Sequence, residues 1–223
     1  MATIIGIAGI ALLLLFPCGA HAQQSGMTFF VTSTGVEKGG DFGGLEGADR
    51  HCQALAARAG AGNRKWRAYL SASAAAGSPA VNARDRIGRG PWSNARGVVI
   101  ARDPAELHGK NNLTKETALT EKGDVVPGRG VWWNAHDILT GTQPDGTAFP
   151  PGEDRTCGNW TKSGEGQAQV GHSDRIGLRP DEKGYRPDGS GESWNSSHPT
   201  RGCSYDAFRT TGSKGYLYCF AAD

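Results

Sequence analysis

The chain has 223 residues, with 24 Lys and Arg against 22 Asp and Glu for a net charge of +2 and an apolar content of 37%. The near-neutral balance, with no basic block, excludes the electrostatic footprint of a nucleic-acid binder, and the length suits one domain. After residue 16 no stretch approaches the roughly 20 apolar residues of a membrane-spanning helix, so no membrane span is expected.

From Ile4 to Phe16 the sequence is almost wholly apolar, and it continues through Pro17 and Cys18 to Ala20-His21-Ala22. That pattern predicts a signal peptide over residues 1–22, cleaved before Gln23, although no Lys or Arg precedes the apolar run. The bulky Phe16 and Pro17 disfavour lipid attachment at Cys18. The expected product is an exported domain over residues 23–223, periplasmic, secreted or held at the cell surface.

Met27 to Ser33, "MTFFVTS", is rich in aromatic and β-branched residues and predicts a strand. A glycine-rich turn follows, and then Ala48, Cys52, Leu55, Ala56 and Ala59 recur at helical spacing, with Gly60 suited to the stop. Cys52 should therefore face the core. "WRAYLS" (Trp66 to Ser71), "GVVIA" (Gly97 to Ala101) and the terminal "KGYLYCFAA" predict further strands. Two long segments, His108 to Asn134 and Arg179 to Gly202, show little periodicity, and structureless stretches of that length usually carry function. One early helix, strands at both ends and long central loops make an α+β fold.

Beyond the signal segment stand Cys52, Cys157, Cys203 and Cys219. An even number in an oxidising compartment favours two disulfides over metal ligation, and no pair has the CxxC spacing of a structural zinc site. Four cysteines allow three connectivities, which the spacing leaves open.

Several segments, in order, carry a resemblance: "FFVTSTG", "GGLEGADRHCQALA", "WRAYLS", "VNARDRI" with "PW", "HDILTGTQPDG", "CGNW" and "GCSYDAF" with "GYLYCF". Together they resemble bacterial exported lectin-like or endostatin-like domains of the C-type-lectin-like fold. The resemblance implies paired N- and C-terminal strands and nested disulfides, Cys52 with Cys219 and Cys157 with Cys203. It also implies a binding function exercised through the long loops on carbohydrate or glycoprotein ligands, or, in an endostatin-like adhesin, on extracellular-matrix or other host proteins without calcium.

Calcium-dependent lectins of this fold hold their ion with a QPD or EPN loop, an acidic residue before the next cysteine, and a later WND strand. The matching positions here are Gln143, Asp145, Glu153 and Asn195, with Asp145, Glu153 and Asn195 as the candidate calcium ligands. Calcium needs six to eight oxygens, yet Ser196 replaces the WND aspartate and the run from Asn195 to Cys203 is long for the motif. "QPDG" also matches a turn of endostatin that holds no ion, and Pro144 with Asp145-Gly146 is good β-turn chemistry in its own right. Both readings stand at this level.

His136-Asp137, His172-Ser173-Asp174 and His198 could bring imidazoles and carboxylates together. They lack a local zinc spacing, the histidine-rich N-terminus that carries endostatin's zinc is absent, and satisfied polar histidines are the expected role. "GHSDR" is no catalytic triad, because adjacent residues on an extended chain diverge. No GxSxG elbow occurs, and an enzyme is not expected. Trp66 and Trp160 lie in core-like sequence. Trp132, Trp133 and Trp194 lie in polar or glycine-flanked loops and are candidates for stacking on a sugar.

Overall fold

A computed structural model describes residues 26–223. The expected signal peptide, residues 1–22, lies outside the described residues. The described part is α+β, with few helices, an open mixed sheet and two disulfides.

In chain order the elements are β1 (Phe29–Val31), α1 (Gly44–Arg58), β2 (Trp66–Ala68), β3 (Trp92–Ser93), β4 (Val99–Ala101), α2 (Pro104–His108), β5 (Asp137–Leu139), α3 (Cys157–Trp160), β6 (Gln169–His172), β7 (His198–Pro199), α4 (Tyr205–Arg209) and β8 (Ser213–Ala221), with 3-10 turns at Ala83–Asp85 and Ser190–Glu192. The main sheet runs β1-β8-β5-β6-β7, with β2 also paired to β8. β1 and β2 both pair antiparallel with Cys219 and Phe220, so they flank opposite edges of β8. β5 lies parallel to the N-terminal half of β8. β6 and β7 continue the sheet antiparallel, while β3 and β4 form a separate pair.

Strand alternation divides the core into two. Phe30, Leu139, Leu217 and Cys219 face one side, where α1 supplies Ala48, Cys52, Leu55 and Ala56. Phe29, Val31, Ile138, Tyr218 and Phe220 face the other, under the loops, with Tyr69, Trp92 and Trp194. The sheet is thus buried on both faces, which explains why the terminal strand reads as an almost continuous apolar run.

The expected strand at "WRAYLS" stops early, at Ala68. Its carbonyl accepts from the Leu70 N–H and from the Arg86 guanidinium in place of a continuing ladder. Arg86 also grips the Asp49 carboxylate at 2.8 and 2.9 Å, and that carboxylate accepts from the Ala68 N–H at 2.9 Å and from Arg67. One buried carboxylate on α1 thereby fastens β2 and the turn carrying Arg86, with its charge compensated by two guanidinium groups. The helix also begins earlier than its apolar spacing suggests, at Gly44, before the first buried position at Ala48.

Both expected disulfides are present. Cys52–Cys219 ties α1 to β8, and Cys157–Cys203 ties α3 to the loop before α4. Their separations are 167 and 46 residues, and loop-closure entropy grows with length. Replacing Cys52 and Cys219 together by Ala should cost about 5 kcal/mol, against about 4 kcal/mol for Cys157 with Cys203. Urea unfolding of the two double variants measures the order, and an equal or reversed cost would contradict the chain-entropy origin.

Candidate functional site

Gln143, Pro144, Asp145 and Gly146 form a β-turn closed by the Gly146 N–H to Gln143 carbonyl bond at 2.9 Å, at the tip of a hairpin bridged by Thr142 and Ala148. Gly146 has φ +84°, and a Cβ there would meet His108 Nε2 at 2.3 Å, so glycine is required on both counts. The Asp145 carboxylate accepts from the Thr147 N–H at 3.0 Å and the Thr147 hydroxyl at 2.7 Å. These bonds are the foremost reason its pKa lies below the ordinary carboxylate value. The Gln143 amide donates to Thr147 Oγ1 and to the Ala148 carbonyl.

Asn195 does lie beside this turn, but not as an oxygen donor. It is buried, and its amide nitrogen donates to the Tyr69 hydroxyl at 3.0 Å and to the carbonyls of Gln143 and Pro144 at 3.3 and 3.1 Å. Its side-chain oxygen accepts from the Ser193 hydroxyl. Glu153 is exposed and lies 3.8 Å from the Arg155 guanidinium. Asp145 and Asn195 thus bond within and against the turn, whereas Glu153 stands apart beside Arg155.

Trp194 requires a correction. It is 4% exposed, packed against Tyr69 and Tyr218 with ring centroids 4.9 and 5.3 Å away, so it is a core residue and offers no face to a sugar. Its polar surroundings in sequence misled, because the following Asn195, Ser196 and Ser197 are themselves buried. The backbone at Trp194 crosses directly over β6: a Cβ on Gly171 would lie 1.8 Å from the Trp194 carbonyl.

Trp132 and Trp133, unlike Trp194, lie at the surface. Trp132 is 95% exposed and Trp133 47%. They edge a groove of about 390 Å³ whose other lining includes Asn134, Arg209, Thr210 and Lys214. A second cleft of about 320 Å³ adjoins it, lined by Leu178, Tyr185, Arg186, His172 and His198, and Thr210 and Thr211 border both.

Beneath this surface is an arrangement that the sequence only hinted at. Asp137 opens β5 and pairs directly with His172 of β6, while His198 of β7 pairs with Val170, two residues along. Cross-strand and diagonal neighbours on one sheet face meet, so strand register brings Asp137, His172 and His198 together. His136, just before β5, joins them. Its Nε2 lies 3.1 Å and His172 Nε2 3.3 Å from Asp137 Oδ1, and His198 Nε2 lies 3.6 Å from Oδ2. Three imidazoles thus aim the same nitrogen at one carboxylate.

Asp174 completes the cluster. Its Oδ1 is 2.8 Å from His136 Nδ1 and accepts the Ile176 N–H, and its Oδ2 accepts the Arg129 N–H. Burial disfavours a charged His136, but Asp137 and Asp174 outweigh it and push its pKa up to about 9. Burial disfavours charge on Asp137 as well, yet the three histidines hold its pKa well below the ordinary carboxylate value. His172 goes the other way: burial lowers its pKa despite Asp137, and the neighbouring imidazoles add to the effect.

Scanned against protein-family models the chain matches none, and no curated protein is similar enough to count as a relative.

The contacts of Asn195 predict that Asn195→Ala costs about 2 kcal/mol, since it strips donors from a buried hydroxyl and two carbonyls. Asp145→Ala, at an exposed turn, should cost under about 1 kcal/mol. Denaturant titration distinguishes the two, and equal small effects would detach Asn195 from the role given to it.

Proposed function

We propose that the chain is an exported binding protein of C-type-lectin-like architecture that takes carbohydrate, free or carried on a glycoprotein, on the surface edged by Trp132 and Trp133, without calcium. The observation that carries this reading is the exposure of Trp132. An indole left in water forgoes burial on the order of 3 kcal/mol, which stacking on the apolar face of a sugar ring would recover.

The surrounding groups suit the same ligand class. Asn134, Thr210 and Thr211 present amide and hydroxyl partners for sugar hydroxyls, and the adjoining cleft adds Tyr185. Among the described residues Arg209 and Lys214 line the groove and no carboxylate does, which favours an acidic saccharide over a neutral one. The order of the matching segments along the chain and the nested pairing of the cysteines support the architecture. The export reading is supported by the apolar N-terminal segment and the two disulfides. Among the described residues no helix is long and apolar enough to cross a membrane.

A glycan array read with and without added calcium tests the proposal. Binding should favour acidic glycans and be equal in both conditions. Trp132→Ala should weaken it at least tenfold, while Asp145→Ala leaves it unchanged. No glycan binding, or wild-type binding by Trp132→Ala, would defeat the reading. Attachment to an extracellular-matrix protein that excess free sugar does not displace would instead favour the adhesin.

A further inference from the structure

The His136, Asp137 and His172 cluster is the one group of three or more His, Cys, Asp or Glu among the described residues whose ligand atoms all lie within 4.8 Å of one another. All three residues are buried, Asp137 completely. Both oxygens of Asp137 and both ring nitrogens of His172 lack a hydrogen-bond partner among the described residues. The contacts between the imidazoles and Asp137 are close but lack hydrogen-bond geometry. A buried polar atom left unmade costs about 1–3 kcal/mol, and four occur here in two adjacent side chains.

The spacing matches a metal polyhedron. Zinc binds imidazole nitrogen and carboxylate oxygen at about 2.0–2.1 Å, which puts neighbouring ligand atoms of a tetrahedron about 3.3 Å apart. The two Nε2-to-Oδ1 distances are 3.1 and 3.3 Å. His136 and His172 stack with centroids 4.2 Å apart and planes within 8°, so both Nε2 atoms stand near the same carboxylate, and one ring must turn out of the stack for both in-plane lone pairs to reach a shared ion.

The outer contacts match as well. His136 presents Nδ1 to Asp174 at 2.8 Å, and Asp174 is itself held by two backbone N–H groups. A carboxylate behind a ligating histidine fixes the tautomer and ring orientation that leave Nε2 for the ion. His172 and His198 both line the cleft, so the side of the cluster opposite the core opens towards it.

We propose that His136 Nε2, Asp137 Oδ1 and His172 Nε2 bind one divalent transition-metal ion of the zinc class, with Asp174 orienting His136 and the fourth position facing the cleft beside His198. Two imidazoles and one carboxylate suit zinc and its first-row neighbours and disfavour calcium, which prefers an all-oxygen shell. This site is separate from the Trp132 groove and does not rest on sugar binding.

The test uses the mature chain, stripped of metal with a chelator and dialysed, then titrated calorimetrically with zinc chloride. Wild type should bind one zinc per chain and melt at a higher temperature with zinc than without. Asp137→Asn and His172→Ala should each lose at least a hundredfold in affinity, His198→Ala about tenfold, and His51→Ala, outside the cluster, should bind as wild type. Circular dichroism verifies that the variants fold. Should they unfold, X-ray absorption of zinc-loaded wild type decides: two imidazole nitrogens and a carboxylate oxygen at about 2.0 Å support the site. Absence of stoichiometric zinc binding, a shell of oxygens alone, or undiminished binding by folded His172→Ala would overturn it.

Discussion

Everything in this molecule waits on β8. Its nine residues, Ser213–Ala221, pair with β1, β2 and β5 and carry Cys219 to the helix on the far side. Because side chains alternate, the same strand sends Leu217 and Cys219 into one core and Tyr218 and Phe220 into the other. Among the described residues no other element contributes so much to both cores. The parallel pairing of β5 with β8 then places Asp137 at a fixed point, from which β6 brings His172 and β7 brings His198.

A cluster built this way is more rigid than one built on loops. Asp137 sits in the middle of a sheet, its carbonyl accepting from the Ser213 hydroxyl and its N–H donating to Gly212. His136 is held by the Asn134 side chain and by Asp174. The tryptophan groove is the opposite case, a pair of large side chains displayed on a glycine-flanked loop. The two features are therefore built differently, a buried polar centre set by strand register and an exposed aromatic edge set by a loop.

What the residues revealed in advance, and what they hid, follows the range of the forces involved. Helix α1 and the terminal strands were visible because apolar periodicity is local. The disulfide pairing came from resemblance, since cysteine spacing by itself leaves three solutions. The three-residue strand β5 and the two-residue strand β7 show no periodicity, so nothing in "AHDIL" or "SSHPT" announced a sheet. For the same reason the histidines looked like separate pairs: His136 and His172 stand 36 positions apart and meet only through strand register. A weak sign was present, in that imidazole and carboxylate recur together in both "HD" and "HSD". Trp194 departs from the expectation because its polar neighbours are not at the surface: Asn195 and the serines are buried, satisfying one another and the backbone.

The placement of β8 also governs when the chain can fold. A chain emerging from its N-terminus holds β1, α1 and β2 without their partner until residue 221 is available, and the bond closing Cys52 spans 167 residues. Contacts so distant in sequence make folding late and slow. Until then α1 and the strands beside it lack the strand that buries them, and the bond at Cys52 cannot close.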